Sequence, residues 1–232
     1  FESDDPGNTI TTSGKSMGPT CVVRFMGSGT WDFQDVFTTY HIQVYAGTLN
    51  TNDNNIFADS YRTYGNDSKV LNMGSSVITV GTFRAGGSNL NLNAGTSTIV
   101  VNSSFYPDDS GNGPYSYYQV EIPEGGVIWD NAIISRLTLG NGGNANNFVK
   151  LASGVTIEID ELVIDASRET VLDLRTLTDG SEAFFSKSSG SIDVSYLLLK
   201  DIHATGGAGF NATESFDNGN TDGWNISPIT SL

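Results

Sequence analysis

The chain has 232 residues and is acidic, because 26 Asp and Glu side chains outnumber 11 Lys and Arg and give a formal net charge of −15 at pH 7. Nucleic acids and anionic membrane surfaces are bound by clustered Lys and Arg, so this balance argues against both as partners. Only 16% of the residues are charged, and Ser, Thr, Asn and Gly must supply the polar surface. No apolar run reaches the roughly 18 residues that cross a bilayer, so no membrane insertion is expected.

Residues 1–20 are polar and interrupted by Gly and Pro, which predicts a polar N-terminal linker or an initial strand that lies against the first repeat. For 21–232 we expect a single elongated β domain. The chain opens at Phe1 and not at a Met followed by a signal sequence, so we expect a processed chain or a part of a longer one. Cys21 is the only cysteine, and one cysteine forms neither an intrachain disulfide nor a cysteine-based zinc site.

A recurring phrase marks the first half of this β domain. An alternating apolar run leads into a small or apolar residue, a glycine and Ser or Thr, and a second alternating run usually follows. Recurrence at intervals of roughly 20–50 residues is typical of solenoids and other repeat architectures. The glycines of the phrase are Gly27, Gly47, Gly74 and Gly95, at intervals of 20, 27 and 21 residues.

Alternation of apolar and polar residues predicts strands along the rest of the chain. Residues 155–164 form the clearest one, with Val155, Ile157 and Ile159 facing inward, and the glycine-rich run at 140–144 predicts a turn. No segment shows a helical period with caps at both ends, so the predicted fold class is all-β. Short strands between Gly and Asn turns build either a sandwich or a solenoid. The recurring phrase favours a parallel β-helix-like solenoid with rungs of uneven length, and a two-sheet β-sandwich is the alternative.

One stretch departs from the repeat, at 105–118, and predicts an inserted loop rich in tyrosine. A tyrosine offers a flat apolar ring and a hydroxyl, the combination found at surfaces that bind partners. Such rings stack on sugars while neighbouring acids bind the sugar hydroxyls, although local packing over the rung edges is the alternative. The predicted ligand-binding residues are Tyr106, Tyr115, Tyr117, Tyr118, Asp108 and Asp109. A second group of tyrosines on or beside another rung comprises Tyr40, Tyr45, Tyr61 and Tyr64.

The last third of the chain contains the runs FFSKSSGSIDVSYLLLKD at 184–201, ATGGA at 204–208 and DNGNTDGWNI at 217–226. These resemble the closing pattern of repetitive β-solenoid regions in large bacterial surface proteins and in phage tail or other virion proteins. The earlier runs LNMGSSVIT and LNAGTSTI are similar to the repeat units of the same group. The resemblance implies a parallel β-helix-like scaffold with an extracellular, cell-surface or virion location, and it carries over no catalytic residues.

The run from 218 to 223 matches the opening of a calcium loop, in which alternating side-chain oxygens precede a glycine turn. The predicted ligands are Asn218, Asn220 and Asp222. The twelfth position of such a loop would be Ile229 and not a bidentate Glu, so a structural turn leading into Trp224 is the stronger interpretation. Calcium is the only cofactor considered, and none is required by the sequence.

No candidate catalytic group stands out from the many acidic residues of the chain. Glycoside hydrolysis needs two carboxylates roughly 5–9 Å apart, and an acidic chain offers many such groups by chance. The candidates are Asp108 with Asp109, or Glu158, Asp160 and Asp165 along one strand. The two histidines, His41 and His203, lie near no nucleophile elbow, so neither a catalytic triad nor a zinc site is predicted.

These features predict a non-enzymatic structural or attachment module of an extracellular or virion surface assembly, which recognises a glycan or a partner protein. Solenoid ends leave strand edges unpaired and favour stacking, so a homo-oligomer or assembly subunit is expected. Two alternatives stay open. One is a purely structural filament or capsid-associated subunit, and the other is a polysaccharide-active enzyme on a β-helix.

Overall fold

A computed structural model describes residues 1–140 and 148–229. This part of the chain is a parallel β-solenoid of about 10 turns without any helix, which confirms the all-β solenoid prediction and shows that the sandwich alternative is wrong. The glycine turn predicted at 140–144 lies outside the described residues, apart from its first glycine. The strands are β1 (Asn8–Ile10), β2 (Val22–Phe25), β3 (Thr30–Phe33), β4 (Phe37–Thr38), β5 (His41–Val44), β6 (Gly47–Asn50), β7 (Ile56–Thr63), β8 (Lys69–Asn72), β9 (Val77–Arg84), β10 (Leu90–Asn93), β11 (Thr98–Tyr106), β12 (Tyr115–Ile122), β13 (Gly126–Ile128), β14 (Ala132–Gly140), β15 (Phe148–Leu151), β16 (Thr156–Asp165), β17 (Leu172–Thr176), β18 (Ala183–Ser186), β19 (Ser191–Ser195), β20 (Leu197–Lys200), β21 (Ile202–Thr205), β22 (Gly209–Thr213), β23 (Phe216–Asp217) and β24 (Trp224–Ile226).

Each turn of the solenoid contributes strands to three sheets, here called faces 1, 2 and 3. The longest strands bend at a corner, so their two halves belong to different faces; β7 and β9, for example, run from face 3 into face 1. The segments of face 1 are 22–25, 41–44, 60–63, 82–84, 104–106, 126–128, 148–151, 172–176, 197–200 and 216–217. Face 2 begins with β1, β3, β6, β8 and β10, and face 3 ends with β19, β22 and β24.

The core is a set of side-chain columns, because parallel pairing places each inward residue over its counterpart in the next rung. One column on face 1 is aromatic, with ring centroids 5.6 Å apart between Tyr61 and Phe83 and 5.9 Å apart between Phe83 and Phe105. Its buried members in rung order are Val23, Ile42, Tyr61, Phe83, Phe105, Ile128 and Leu151. The predicted inward positions Val155, Ile157 and Ile159 are buried as well.

Rung length varies at the corners while the strands keep their register. Neighbouring rungs are 19 residues apart between Val23 and Ile42 and 25 apart between Leu174 and Leu199. Gly47 shows why the phrase contains glycine: its φ is +80°, and a Cβ there would lie 2.5 Å from the carbonyl oxygen of Gly29 in the preceding rung. The corners therefore differ in length while the core is unchanged. Where the backbones of two rungs come close together, as at Gly47, the position needs a residue without a Cβ.

Residues 1–20 contribute to the first turn of the solenoid. β1 pairs in parallel with β3, Glu2 forms a bridge with Met26, and the backbone N–H of Met17 donates to the carbonyl of Thr38 at 2.9 Å. The polar segment therefore supplies backbone partners for the following rung on all three faces.

An asparagine ladder runs along the outer surface of face 2. The amide nitrogen of each Asn donates to a side-chain oxygen of the preceding rung, and each of the three hydrogen bonds is 2.6 Å long. The members are Asp32, Asn50, Asn72 and Asn93, which face each other in the strand register. A second ladder on face 3 links Asp193, Asn211 and Asn225. Both ladders begin with an aspartate, which only accepts hydrogen bonds, and so all amides in a ladder point the same way.

We expect Asn72→Ala to lower the free energy of unfolding by about 1–2 kcal/mol, because two ladder hydrogen bonds are lost and the amide of Asn93 loses its acceptor. Urea unfolding followed by circular dichroism measures this. Asn91→Ala is the matched control: Asn91 lies on the neighbouring strand, is exposed, and makes no side-chain hydrogen bond. Equal losses in the two variants would contradict a stabilising role for the ladder.

Candidate functional site

The tyrosine-rich insertion is shorter than the sequence predicts. β11 continues to Tyr106 and β12 begins at Tyr115, so only residues 107–114 form a loop. β12 includes three of the tyrosines that were expected in the loop, Tyr115, Tyr117 and Tyr118. The boundaries 105–118 therefore need correction to 107–114.

Tyr117 was predicted to contact a ligand, but it is buried in the core. Its side chain is 2% exposed, its ring packs edge-on against Phe105 at 5.2 Å, and its hydroxyl donates to the carbonyl of Pro107 at 2.6 Å. Burial raises the pKa of this hydroxyl well above its ordinary value. Tyr117 therefore anchors the loop to the core, while Tyr118, which is 46% exposed, points outward at the next position of β12.

Tyr106 belongs to an outward column on face 1. Its ring stacks on Trp129 of the next rung, with centroids 5.3 Å apart and an interplanar angle of 1°. On the preceding rung, the guanidinium of Arg84 lies 4.4 Å from the centroid of the Tyr106 ring. Tyr106 faces Arg84 in the strand register, and the N–H of Trp129 donates to Phe105, so the column Arg84–Tyr106–Trp129 is fixed by the stacking of the rungs.

Beside Trp129 the surface opens into a cleft. Ala152 follows Trp129 in the same outward column, one rung further along, since the N–H of Ala152 donates to the carbonyl of Ile128. Its small side chain leaves space next to the indole. The cleft has a volume of about 250 Å³, close to the lower end of the range of roughly 300–1,000 Å³ for ligand pockets. Its lining includes Asp108, Trp129, Asp130, Asn131, Ser153 and Gly154; we call it the Trp129 cleft.

Two residues that line the Trp129 cleft each carry a buried polar atom without a hydrogen-bond partner in the protein. The indole Nε1 of Trp129 and the Oδ2 of Asp130 are both shielded from solvent and make no hydrogen bond. Buried polar atoms are almost always paired, and unpaired ones cost free energy. A donor and an acceptor on adjacent residues of one cleft therefore suit a ligand that carries hydroxyl groups, since a hydroxyl both donates and accepts.

The two predicted acids of the loop, Asp108 and Asp109, make different contacts. Asp108 builds the turn, because its carboxylate accepts hydrogen bonds from the backbone N–H groups of Asn112 at 3.1 Å and Gly113 at 2.7 Å. Asp109 pairs with Arg84 at 2.9 Å, which ties the loop to the column on face 1. Neither carboxylate is free in the way that the sequence prediction assumed.

Asp130 is the group that sequence reasoning missed. Burial raises the pKa of its carboxyl to about 6, and the negative charges of Asp109 and Asp108 add to the rise, while Arg84 and a hydrogen bond from the backbone N–H of Asp108 oppose it. The signal was present in the sequence: an aromatic residue followed closely by an acid ends two successive rungs, as Tyr106 with Asp108 and as Trp129 with Asp130. Without the register of the rungs, these two pairs could not be recognised as neighbours.

The other predicted acids lie elsewhere. Glu158 and Asp160 line a separate depression, where Lys187 donates to the backbone carbonyl of Asp160 at 2.6 Å, and Asp165 is exposed at the end of β16. None of them lines the Trp129 cleft.

The histidines do not form a triad. The Nδ1 of His41 lies 2.6 Å from the hydroxyl of Ser60 and 3.8 Å from the carboxylate of Asp59, so both neighbours approach the same ring nitrogen. A triad uses opposite nitrogens and an accessible nucleophile, whereas Ser60 is only 2% exposed. His203 is buried on face 2.

One predicted calcium ligand, Asn220, and the neighbouring Asp217 stabilise the turn at the end of the solenoid. The amide of Asn220 donates to Asp201 at 2.9 Å, and Asp217 accepts from the backbone of Gly219 and the hydroxyl of Thr221, both at 2.8 Å. The side chain of Asp222 is 97% exposed. Within residues 1–140 and 148–229, no group of three or more His, Cys, Asp or Glu side chains is arranged to hold a metal ion. Calcium binding through Asn218, Asn220 and Asp222 stays a prediction.

Comparison with known proteins adds no assignment: the chain matches no protein-family model, no curated protein and no solved structure. In the part of the chain that the structure describes, no helix has the length and apolar character to cross a membrane.

The raised pKa of Asp130 predicts a pH-dependent stability. A carboxyl with a folded-state pKa above its unfolded value stabilises the fold when protonated, and this contribution is lost as the pH rises through about 6. We expect Asp130→Asn to raise the free energy of unfolding by about 1 kcal/mol near pH 7.5, since partial exposure screens the charges, and to change it little near pH 4.

Urea unfolding at the two pH values measures this difference. Asp165→Asn, at an exposed carboxylate of β16, is the matched control and should show no gain that depends on pH. A gain from Asp130→Asn that is the same at both pH values would contradict the assignment.

Proposed function

We propose that this chain is a non-enzymatic attachment module of an extracellular or virion surface assembly, and that it binds glycan at the Trp129 cleft. The observation that carries the proposal is the pair of unpartnered atoms in that cleft, the Nε1 of Trp129 and the Oδ2 of Asp130. The Nε1 belongs to the indole ring that stacks on Tyr106, and the Oδ2 is on the next residue of the chain. Flat rings with adjacent hydrogen-bonding groups match the alternating apolar and hydroxyl surfaces of a sugar.

The rest of the cleft fits the same ligand chemistry. The Oδ1 of Asn131 accepts from the backbone N–H of Thr156 at 2.7 Å, which leaves its amide NH2 as a donor, and the hydroxyl of Ser153 shares a hydrogen bond of 2.7 Å with Ser181. Gly154 adds no side chain to the lining. The stacked rungs hold these groups on a rigid support, so little conformational freedom is lost on binding.

The location rests on the resemblance of 184–226 to the closing pattern of bacterial surface and virion solenoids. A single cysteine and ladders of Asp and Asn suit a rigid scaffold that does not depend on disulfides. A homo-oligomer or a larger assembly is part of this proposal, because unpaired strand edges of a solenoid favour association. A surface partner protein is the other binding partner consistent with these features.

The test is binding of the chain to a broad glycan panel, with and without calcium. We expect saturable binding to at least one glycan. Trp129→Ala should weaken it about 10-fold or more, since the stacking surface and the indole donor are both removed. Tyr118→Ala removes an exposed ring of β12, outside the Trp129 cleft, and serves as the matched control.

Equal loss in both variants would contradict the assignment of the cleft. Absence of binding across the whole panel would instead favour the purely structural subunit. Loss of binding on calcium removal alone would point to the loop at 218–223.

One observation favours a second candidate, a polysaccharide-cleaving enzyme. A carboxyl with a pKa of about 6 beside ionised carboxylates is the arrangement that provides a general acid in glycoside hydrolysis, and Asp130 lies near Asp108 and Asp109 in this way. The two hydrogen bonds from backbone N–H groups to Asp108 and the ion pair of Asp109 weigh against a free partner carboxylate.

Release of shortened chains from a bound polysaccharide would identify the enzyme. Asp130→Asn should then slow the release about 100-fold while binding persists, because a general acid contributes about that much to the rate. Binding without any release supports the attachment module.

A further inference from the structure

Face 1 carries an unusual distribution of charge in its first five strand segments, 22–25, 41–44, 60–63, 82–84 and 104–106. They contain no Asp or Glu, although the chain has 26 of these residues. The same segments contain Arg24, Arg62 and Arg84. Face 1 as a whole holds six of the 11 basic residues of the chain, which are Arg24, Arg62, Arg84, Lys150, Arg175 and Lys200.

The three arginines occupy one outward column. Arg24 faces Gln43, Gln43 faces Arg62, and Arg62 faces Arg84 in the strand register. Neighbouring rungs are about 4.8 Å apart, so like charges at Arg62 and Arg84 are direct neighbours, an arrangement that costs stability unless an anion is near. Arg84 has such an anion in Asp109.

Arg24 and Arg62 lack a carboxylate partner. The Nε of Arg24 donates to the side-chain oxygen of Gln43 at 2.9 Å, and an Nη of Arg62 lies 3.4 Å from the hydroxyl of Tyr64. Among the ion pairs of residues 1–140 and 148–229, neither arginine has an acid within 4.0 Å. The Nε of Arg62 is in addition shielded from solvent without any hydrogen-bond partner. The guanidinium groups of Arg24 and Arg62 are therefore available to an anionic ligand, although the protein as a whole is strongly acidic.

Aromatic rings flank these cations. Tyr45 and Tyr64 follow β5 and β7 at the corner and stack with centroids 5.3 Å apart, and the hydroxyl of Tyr45 lies 3.4 Å from the same oxygen of Gln43. We call the set Arg24, Gln43, Tyr45, Arg62 and Tyr64 the cationic strip. Its column continues through Arg84 and Tyr106 to Trp129, so the strip and the Trp129 cleft lie on one line along the solenoid.

We infer that the cationic strip binds an acidic polysaccharide, one that carries carboxylate or sulfate groups along an extended chain. The inference rests on the proposed glycan-binding function and names the class of glycan. Guanidinium groups bind carboxylates and sulfates through paired hydrogen bonds, and the tyrosines contribute apolar surface for the sugar rings. A chain lying along the column would place its anionic groups on Arg24 and Arg62 and could reach the Trp129 cleft with its next sugars.

The experiment measures binding of the full chain to polygalacturonate, dextran sulfate, neutral dextran and a single-stranded DNA oligonucleotide. We expect binding to one or both acidic polysaccharides, weakened as NaCl is raised from about 50 to about 200 mM because the contacts are ionic. The double variant Arg24→Gln with Arg62→Gln should raise the dissociation constant about 10-fold or more. Both substitutions keep a long polar side chain at outward positions, and thermal unfolding checks that the fold is retained.

Arg136→Gln is the matched control. Arg136 is a half-exposed arginine on face 3, paired with Glu161 at 3.1 Å, and its replacement changes the net charge of the protein in the same direction. Its dissociation constant should stay within about 2-fold of the unmodified chain, since Arg136 lies on a different face from the cationic strip.

Three results would overturn the inference: no binding to either acidic polysaccharide, an equal loss in Arg136→Gln, or equally tight binding of the DNA oligonucleotide. Failure here is distinguishable from failure of the proposed function. If a neutral glycan still binds and depends on Trp129, the attachment function stands and only the ligand class is wrong. If no glycan of either kind binds, both proposals fail.

Discussion

Parallel register between successive turns is the constraint on which this structure depends. Because each strand pairs with its counterpart one rung away, every side chain lies over the equivalent side chain of its neighbours. Inward columns become the aromatic and aliphatic core, as in Tyr61, Phe83 and Phe105, and outward columns become ladders, as in Asn50 and Asn72. Corners absorb the differences in rung length, so the chain can gain residues between strands without losing the register.

The same constraint builds the candidate site. Arg84, Tyr106 and Trp129 are 22 and 23 residues apart, yet the register stacks them into one column. The loop at 107–114 is held over this column through the ion pair of Asp109 and the hydrogen bond of Tyr117 to Pro107. Burial raises the pKa of Asp130, and the acids of the loop add to the rise. The corner insertion at 107–114 thus adds a local cleft to a repetitive surface. The preceding rungs of the same column carry the two arginines of the cationic strip.

The sequence predicted the all-β solenoid because alternation and recurring glycines are local signals. It could not give the register, and the misplaced residues follow from that: Tyr117 was expected on the surface, and Asp130 was overlooked. The asparagines of Leu49-Asn50, Leu71-Asn72 and Leu92-Asn93 were a visible signal for the ladder, but only pairing shows that they meet. Lys69 could not be placed from the sequence pattern, which predicts an exposed lysine. It is fully buried, and its ammonium donates to the carbonyls of Gly65, Asp67 and Ser88 at 2.7–3.0 Å.

Rung stacking places an indole whose N–H has no partner at the Trp129 cleft, where we propose that glycan binds. The chain has three tryptophans, so a nitrogen–proton correlation spectrum gives three indole signals that can be assigned by substitution. Titration with a glycan that binds should shift the signal of Trp129 selectively and saturably, while those of Trp31, in the core, and Trp224, in the last strand, stay in place. A bound glycan that leaves the Trp129 signal unchanged would contradict the account.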